Sequence, residues 1–145
     1  MNIYFACSIT GGRDFESVYQ VITRALAKDR HEVPTAHLAE PNVMAAEAVI
    51  DPLEVYTRDT HWIRNSDALI AEVSAPSHGV GYEIGYALEL GKPVLALYQQ
   101  GCRVSKMISG NPDPNLLVRP YESPEHAVEI LRGFLTTQFV REKRH

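Results

Sequence analysis

Short, almost continuous apolar runs alternate along the chain with segments in which apolar residues return every three or four positions. Residues 3–7, 68–73, 94–98 and 116–118 carry the first pattern and, with residues 32–34 as a further strand candidate, predict a sheet covered on both faces. Residues 14–29, 52–65, 82–90, 105–109 and 124–139 carry the second and predict helices. In the first helix Val18, Val21, Ile22, Ala25 and Leu26 make the inward stripe. Strand and helix in turn mark a parallel arrangement, so the expected fold is α/β: a doubly wound, five-stranded parallel sheet with helices on both faces. Residues 35–51 and the turn cluster GNPDPN at 110–115 read as irregular. One domain is expected over residues 1–139, with residues 140–145 as a frayed tail.

In a sheet of this Rossmann- or flavodoxin-like kind, ligands settle beyond the carboxyl ends of the strands, where the strand order reverses. The turns SITGGR at 8–13 and SAPSHGVG at 74–81 follow the first and third predicted strands and are expected to face one crevice. Both combine glycines with hydroxyls, a composition suited to taking a phosphate on backbone N–H groups while Arg13 supplies charge. Ser8, Gly11, Gly12, Arg13, Ser77 and Gly79 are therefore phosphate candidates. The plainer account makes Gly11 and Gly12 a turn into the first helix and Arg13 a solvated surface charge. Neither turn fits the P-loop or the dinucleotide fingerprint, which disfavours ATP hydrolysis and NAD binding.

Two carboxyl groups stand out. Glu83 is expected in the first turn of a helix, after a turn made by Gly79 and Gly81; unpaired N–H groups there would keep it ionised and fit to act as a nucleophile. Asp59 shares a helical stripe with Val55 and Trp62, so it is expected against apolar neighbours that raise its pKa. Two acids shifted in opposite directions suit one proton donor and one nucleophile. Alternatively, Asp59 pairs with Arg58, Arg64 or a backbone donor, or the helix phase is displaced by one residue. Tyr4, on the first strand, either reaches the crevice with its hydroxyl or points it to water.

Bulk properties narrow the field further. A chain of 145 residues, 45% hydrophobic, can bury a core without staples. Its net charge of −4, with no basic stripe, argues against binding a nucleic-acid polymer, though one phosphate needs only a local site. No signal-like or membrane-spanning pattern is visible, so a cytoplasmic location and no membrane partner are expected. Cys7 and Cys102 make neither a disulfide framework nor a zinc cluster, and no cluster has metal-ligand spacing; neither metal nor cofactor is expected.

Several blocks together resemble a known family, the 2'-deoxynucleoside 5'-monophosphate N-hydrolases, relatives of the nucleoside 2-deoxyribosyltransferases. They are IYFACSITGGR at 3–13, Asp59 with Trp62, AEV at 71–73 leading to PSHGVGYEIG at 76–85, and RVSKMI at 103–108. The resemblance implies an enzyme that splits the N-glycosidic bond of a deoxynucleoside monophosphate into free base and 2-deoxyribose 5-phosphate. It implies that Glu83 attacks C1', that Asp59 moves a proton or orients the sugar and departing base, and that Tyr4 positions the reacting carboxylate. It further implies a phosphate site from Ser8, Gly12, Arg13 and Ser77, completed in a homodimer by Ser105 of the other subunit. His37 and His78 are candidates to border the base. Cys7 and His78 depart from the family's pattern, which bears on base preference. Base exchange between nucleosides and nucleotide sensing without turnover are the alternative functions.

Overall fold

The computed structural model describes residues 1–9 and 14–144. Four strands, β1 (Ile3–Ala6), β2 (Ala68–Glu72), β3 (Val94–Gln99) and β4 (Leu116–Tyr121), pair in parallel in the order β1-β2-β3-β4. The helices are α1 (Glu16–Lys28), α2 (Val43–Ala48), α3 (Pro52–Arg64), α4 (His78–Glu89), α5 (Lys106–Ser109) and α6 (Pro124–Lys143). The register is in step: Ile3 faces Ala68, Leu69 faces Val94, and Val94 faces Leu116.

The side-chain alternation of the strands sorts the core into two layers. Ile3, Phe5, Ile70, Leu95 and Leu97 pack against Val18, Ile22 and Leu26 of α1 and against Leu131, Phe134 and Leu135 of α6. Tyr4, Leu69, Ala71, Val94 and Ala96 face the other way, against Ile63 of α3 and Val80, Ile84 and Ala87 of α4. Helices thus cover both faces, which is why the strands read as unbroken apolar runs rather than alternating ones. Among the described residues, no helix is long and apolar enough to cross a membrane.

The expected fifth strand is not formed. Residues 32–34 contribute one isolated parallel bridge, Asn2 with Glu32, on the outer side of β1. The ladder stops there because Pro34 has no N–H to donate and the next partner is a side chain: the Phe5 N–H donates to Thr35 Oγ1 at 3.0 Å. Residues 35–51, expected to be irregular, contain a 3-10 turn (Ala36–Ala39) and α2. Helix α6 also runs beyond its expected limit, so that residues 140–143 are helical rather than frayed.

Helix entries follow local chemistry. Asp51 precedes Pro52 and accepts the Leu53 N–H, and Ser123 precedes Pro124 and accepts the His126 N–H, both typical caps with proline in the first turn. Ser77 caps α4 by accepting the Val80 N–H. That cap places the start of α4 at His78, four residues before the apolar pattern predicts it. Gly79 and Gly81 consequently lie inside the helix instead of in a turn, and Glu83 is in its second turn, not its first.

Candidate active site

Three elements bring the reactive side chains together. Tyr4 is fully buried on the α3/α4 face of β1 and donates its hydroxyl to Glu83 Oε2. Glu83 comes from α4, and Asp59 from α3, which packs beside it. Asp59, Glu83 and Gly79 line one open cleft of about 400 Å³, bordered by Ile50, Pro52, Tyr56 and Tyr82. This volume lies within the usual range for a small-molecule site.

The electrostatics differ from the expectation of two acids shifted apart. With Glu83 beyond the first turn, little helix-terminal charge is available to it, and burial pushes its carboxyl up to about 8. Asp59 is raised too: burial is the largest influence, opposed by the hydrogen bond and charge of Arg58. Both acids therefore shift upward, and the distinction between them lies in their partners. Glu83 is held by a neutral phenol, Asp59 by a cation whose Nε lies 2.8 Å from Oδ1.

The pairing of Asp59 with Arg58 was one of the alternatives open in the sequence, and the phase of α3 explains it. The buried positions of this helix are Thr60 and Ile63, so Asp59 sits at the edge of the inward stripe, half-buried, where it borders the cleft and still meets its neighbour. Arg58 is itself fixed. Its Nη2 donates to Glu47 Oε1 and Oε2 at 3.1 and 3.3 Å, and its guanidinium lies 4.8 Å from the Trp62 ring centroid. His37 Nε2 is 3.0 Å from the same Glu47 oxygen, and its ring meets Trp62 edge-on. His37 thus stands next to the Asp59 cluster. Glu47 was not foreseen; it lies in a segment with no strong periodicity, and only its contacts reveal it.

The remaining candidates are distributed differently. Ser8, at the end of β1, is fully buried. Gly79 lies between Ser77 and Glu83, where a Cβ would fall 3.9 Å from Ser77 Oγ and 3.8 Å from Glu83 Oε1. Ser77, His78 and Ser105 line a larger cleft of about 710 Å³ on the other side of α4, with Arg103, Lys106 and Met107. That cleft is bigger than the first, but neither carboxyl lines it. Ser105 is exposed there and caps α5 by accepting the Met107 N–H. Gly11, Gly12 and Arg13 lie outside the described residues.

A parallel α/β layer that offers a desolvated carboxyl, backed by a buried phenol, and a second acid in one cleft has the parts of a protein working by carboxylate group-transfer chemistry. Residues 3–128 match the family model described as nucleoside 2-deoxyribosyltransferase, and the chain belongs to this family. Among curated relatives, the protein of Methanosarcina mazei named "Putative 2'-deoxynucleoside 5'-phosphate N-hydrolase 1" is 42% identical over 134 residues, covering 92% of this chain and 83% of that one. The 5-hydroxymethyl-dUMP N-hydrolase of Mus musculus is 40% identical over 116 residues, covering 77% of this chain and 66% of its own length. The structure of a CMP N-glycosidase from Clostridium botulinum superposes with a TM-score of 0.69 at 19% identity, covering 92% of this chain and 99% of that one, and shares the fold.

Proposed function

We propose that this protein is a deoxynucleotide N-glycosidase that hydrolyses 2'-deoxynucleoside 5'-monophosphates to free base and 2-deoxyribose 5-phosphate. The observation that carries the reading is the Tyr4 hydroxyl bound to Glu83 in a cleft also lined by Asp59. In the first step a Glu83 oxygen forms a bond to C1' as the C1'–N bond breaks. The base departs with the bonding electron pair and receives a proton from Asp59 or solvent. In the second step water adds to C1', its proton passes to Asp59, and Glu83 leaves as carboxylate. Both steps run through an oxocarbenium-like transition state, which the Glu83 anion stabilises most when water is excluded.

Tyr4 acts by holding one Glu83 oxygen, leaving the other to face the sugar. Arg58, itself held by Glu47, fixes Asp59 by one oxygen, so that the second is turned to the substrate. Ser8, Gly11, Gly12, Arg13, Ser77 and Gly79 form the phosphate site, and Ser105 of the partner subunit completes it in a homodimer built on the larger cleft. The exposed Met107 and Tyr82 beside that cleft give a partner apolar surface to cover. His37 and His78 border the base.

The deciding experiment exposes dAMP, dGMP, dCMP, dTMP and 5-hydroxymethyl-dUMP to the protein and to Glu83→Gln, with chromatographic detection of free base. Base release by the wild type and a loss of at least about 10³-fold in the variant are expected, as for removal of a nucleophile or general base. Equal behaviour of the two proteins, or no release from any nucleotide, rejects the reading.

A further inference from the structure

A second glutamate, Glu72, is fully buried at the carboxyl end of β2 and takes no part in the chemistry above. It points to the α1/α6 face, the side of the sheet opposite to Glu83, and its partners come from adjacent elements. Its Oε1 accepts the Ser74 N–H at 2.7 Å, and its Oε2 accepts the Ser74 hydroxyl at 2.8 Å and the Tyr121 hydroxyl of β4. Ser74 Oγ in turn accepts the Gln99 N–H at 2.7 Å. One carboxyl group therefore ties the ends of β2, β3 and β4 to the first residue of the turn leading into α4.

Simple stability does not account for an acid in this place. Burial raises its pKa, against the hydrogen bonds of Tyr121 and Ser74, and a buried ionisable group can often be replaced by apolar side chains without loss of stability. What an apolar pair cannot do is grip a backbone N–H and a hydroxyl at once and so fix the direction of the chain. Only Ala75 and Pro76 separate the anchored Ser74 from Ser77, the cap of α4. Ser8, at the end of the neighbouring β1, lies at the same rim of the sheet.

We infer that Glu72, with Tyr121, is a positioning residue for the turn at 74–77, holding Ser77 and the start of α4 where a 5'-phosphate ester is bound. The inference rests on the phosphate site proposed above. It separates two tasks performed by one helix: Glu83 carries out the bond exchange, while Glu72 sets the grip on the phosphate from behind the sheet.

Tyr121→Phe tests this, because it removes one hydroxyl and leaves the ring in the core; Glu72→Gln is the companion variant. Affinity for 2-deoxyribose 5-phosphate is measured by calorimetric titration, with 2-deoxyribose as the arm lacking the charge, and kcat and KM are measured on dCMP. Tyr121→Phe is expected to weaken 2-deoxyribose 5-phosphate binding and raise KM about tenfold, the equivalent of one net hydrogen bond, with kcat within about twofold. Unchanged affinity for the sugar phosphate in the folded variant, a fall in kcat at constant KM, or no binding of the sugar phosphate by the wild type overturns the inference. Should the wild type release no base while Tyr121→Phe still weakens sugar phosphate binding, the hydrolase reading fails and this inference stands. Base release with an affinity indifferent to Tyr121→Phe gives the reverse. If Glu72→Gln does not fold, Tyr121→Phe decides alone.

Discussion

Glu83 needs to be ionised to attack, yet its burial holds the carboxyl at about 8 in the free protein. Below that pH most molecules carry a protonated, unreactive Glu83, so kcat/KM should climb as pH rises and level off above about pH 8. Tyr4 donates to the charged form, so Tyr4→Phe should move the climb to higher pH as well as slow the reaction. Rates measured from about pH 6 to about pH 9.5 check both statements. A flat wild-type profile, or a Tyr4→Phe profile moved to lower pH, contradicts this account of the nucleophile. At this scale the sequence singled out Tyr4, Asp59 and Glu83 but not the contacts they make. Tyr4 and Glu83 are 79 positions apart and Tyr121 and Glu72 are 49 apart, separations that no periodicity reveals. The Asp59 to Arg58 contact, between chain neighbours, was visible as an option.

Helix α4 carries Glu83, Gly79 and His78 of the proposed site, and its glycines explain why its start lies ahead of the apolar pattern. Gly79 and Gly81 look like a turn because glycine is a poor helix former, but the Ser77 cap starts the helix ahead of them. The space at Gly79 gives this a functional meaning. A methyl group there would fall in ordinary contact with Ser77 Oγ and Glu83 Oε1, filling the gap between phosphate grip and nucleophile where the sugar must lie. Gly79→Ala is therefore expected to stabilise the folded protein by up to about 1 kcal/mol while raising KM for deoxynucleoside monophosphates. Thermal unfolding and steady-state kinetics on the same preparation test the pair of effects. A variant that is both more stable and equally active removes Gly79 from the site. The lost fifth strand has a similar local origin. Residues 32–34, Glu-Val-Pro, pair only once, because Pro34 and the Thr35 hydroxyl end the ladder after one bridge.

The architecture was legible because parallel strands covered on both sides are mainly apolar, and β1, β2 and β3 are so apart from Glu72 and Gln99 at the strand ends. Assembly was not legible from pattern; it entered through the likeness of residues 103–108 to a family block. A shared site makes a distinctive prediction for mixed subunits. Glu83→Gln and Ser105→Asp should each be weak alone, but after dissociation and reassociation half the dimers are mixed and have one intact site. Activity should return to about one quarter of the wild-type value, as two-fold symmetry requires. Mixtures no more active than the average of their components would place Ser105 in the site of its own subunit, alongside the Ser77 with which it lines a cleft. The common direction of the strands has a practical corollary. All the proposed chemistry gathers at one rim of the sheet, and the turns at 65–67, 91–93 and 112–115 lie at the opposite rim. A fluorophore or a tether to a solid support belongs on that far side, where it leaves turnover undisturbed.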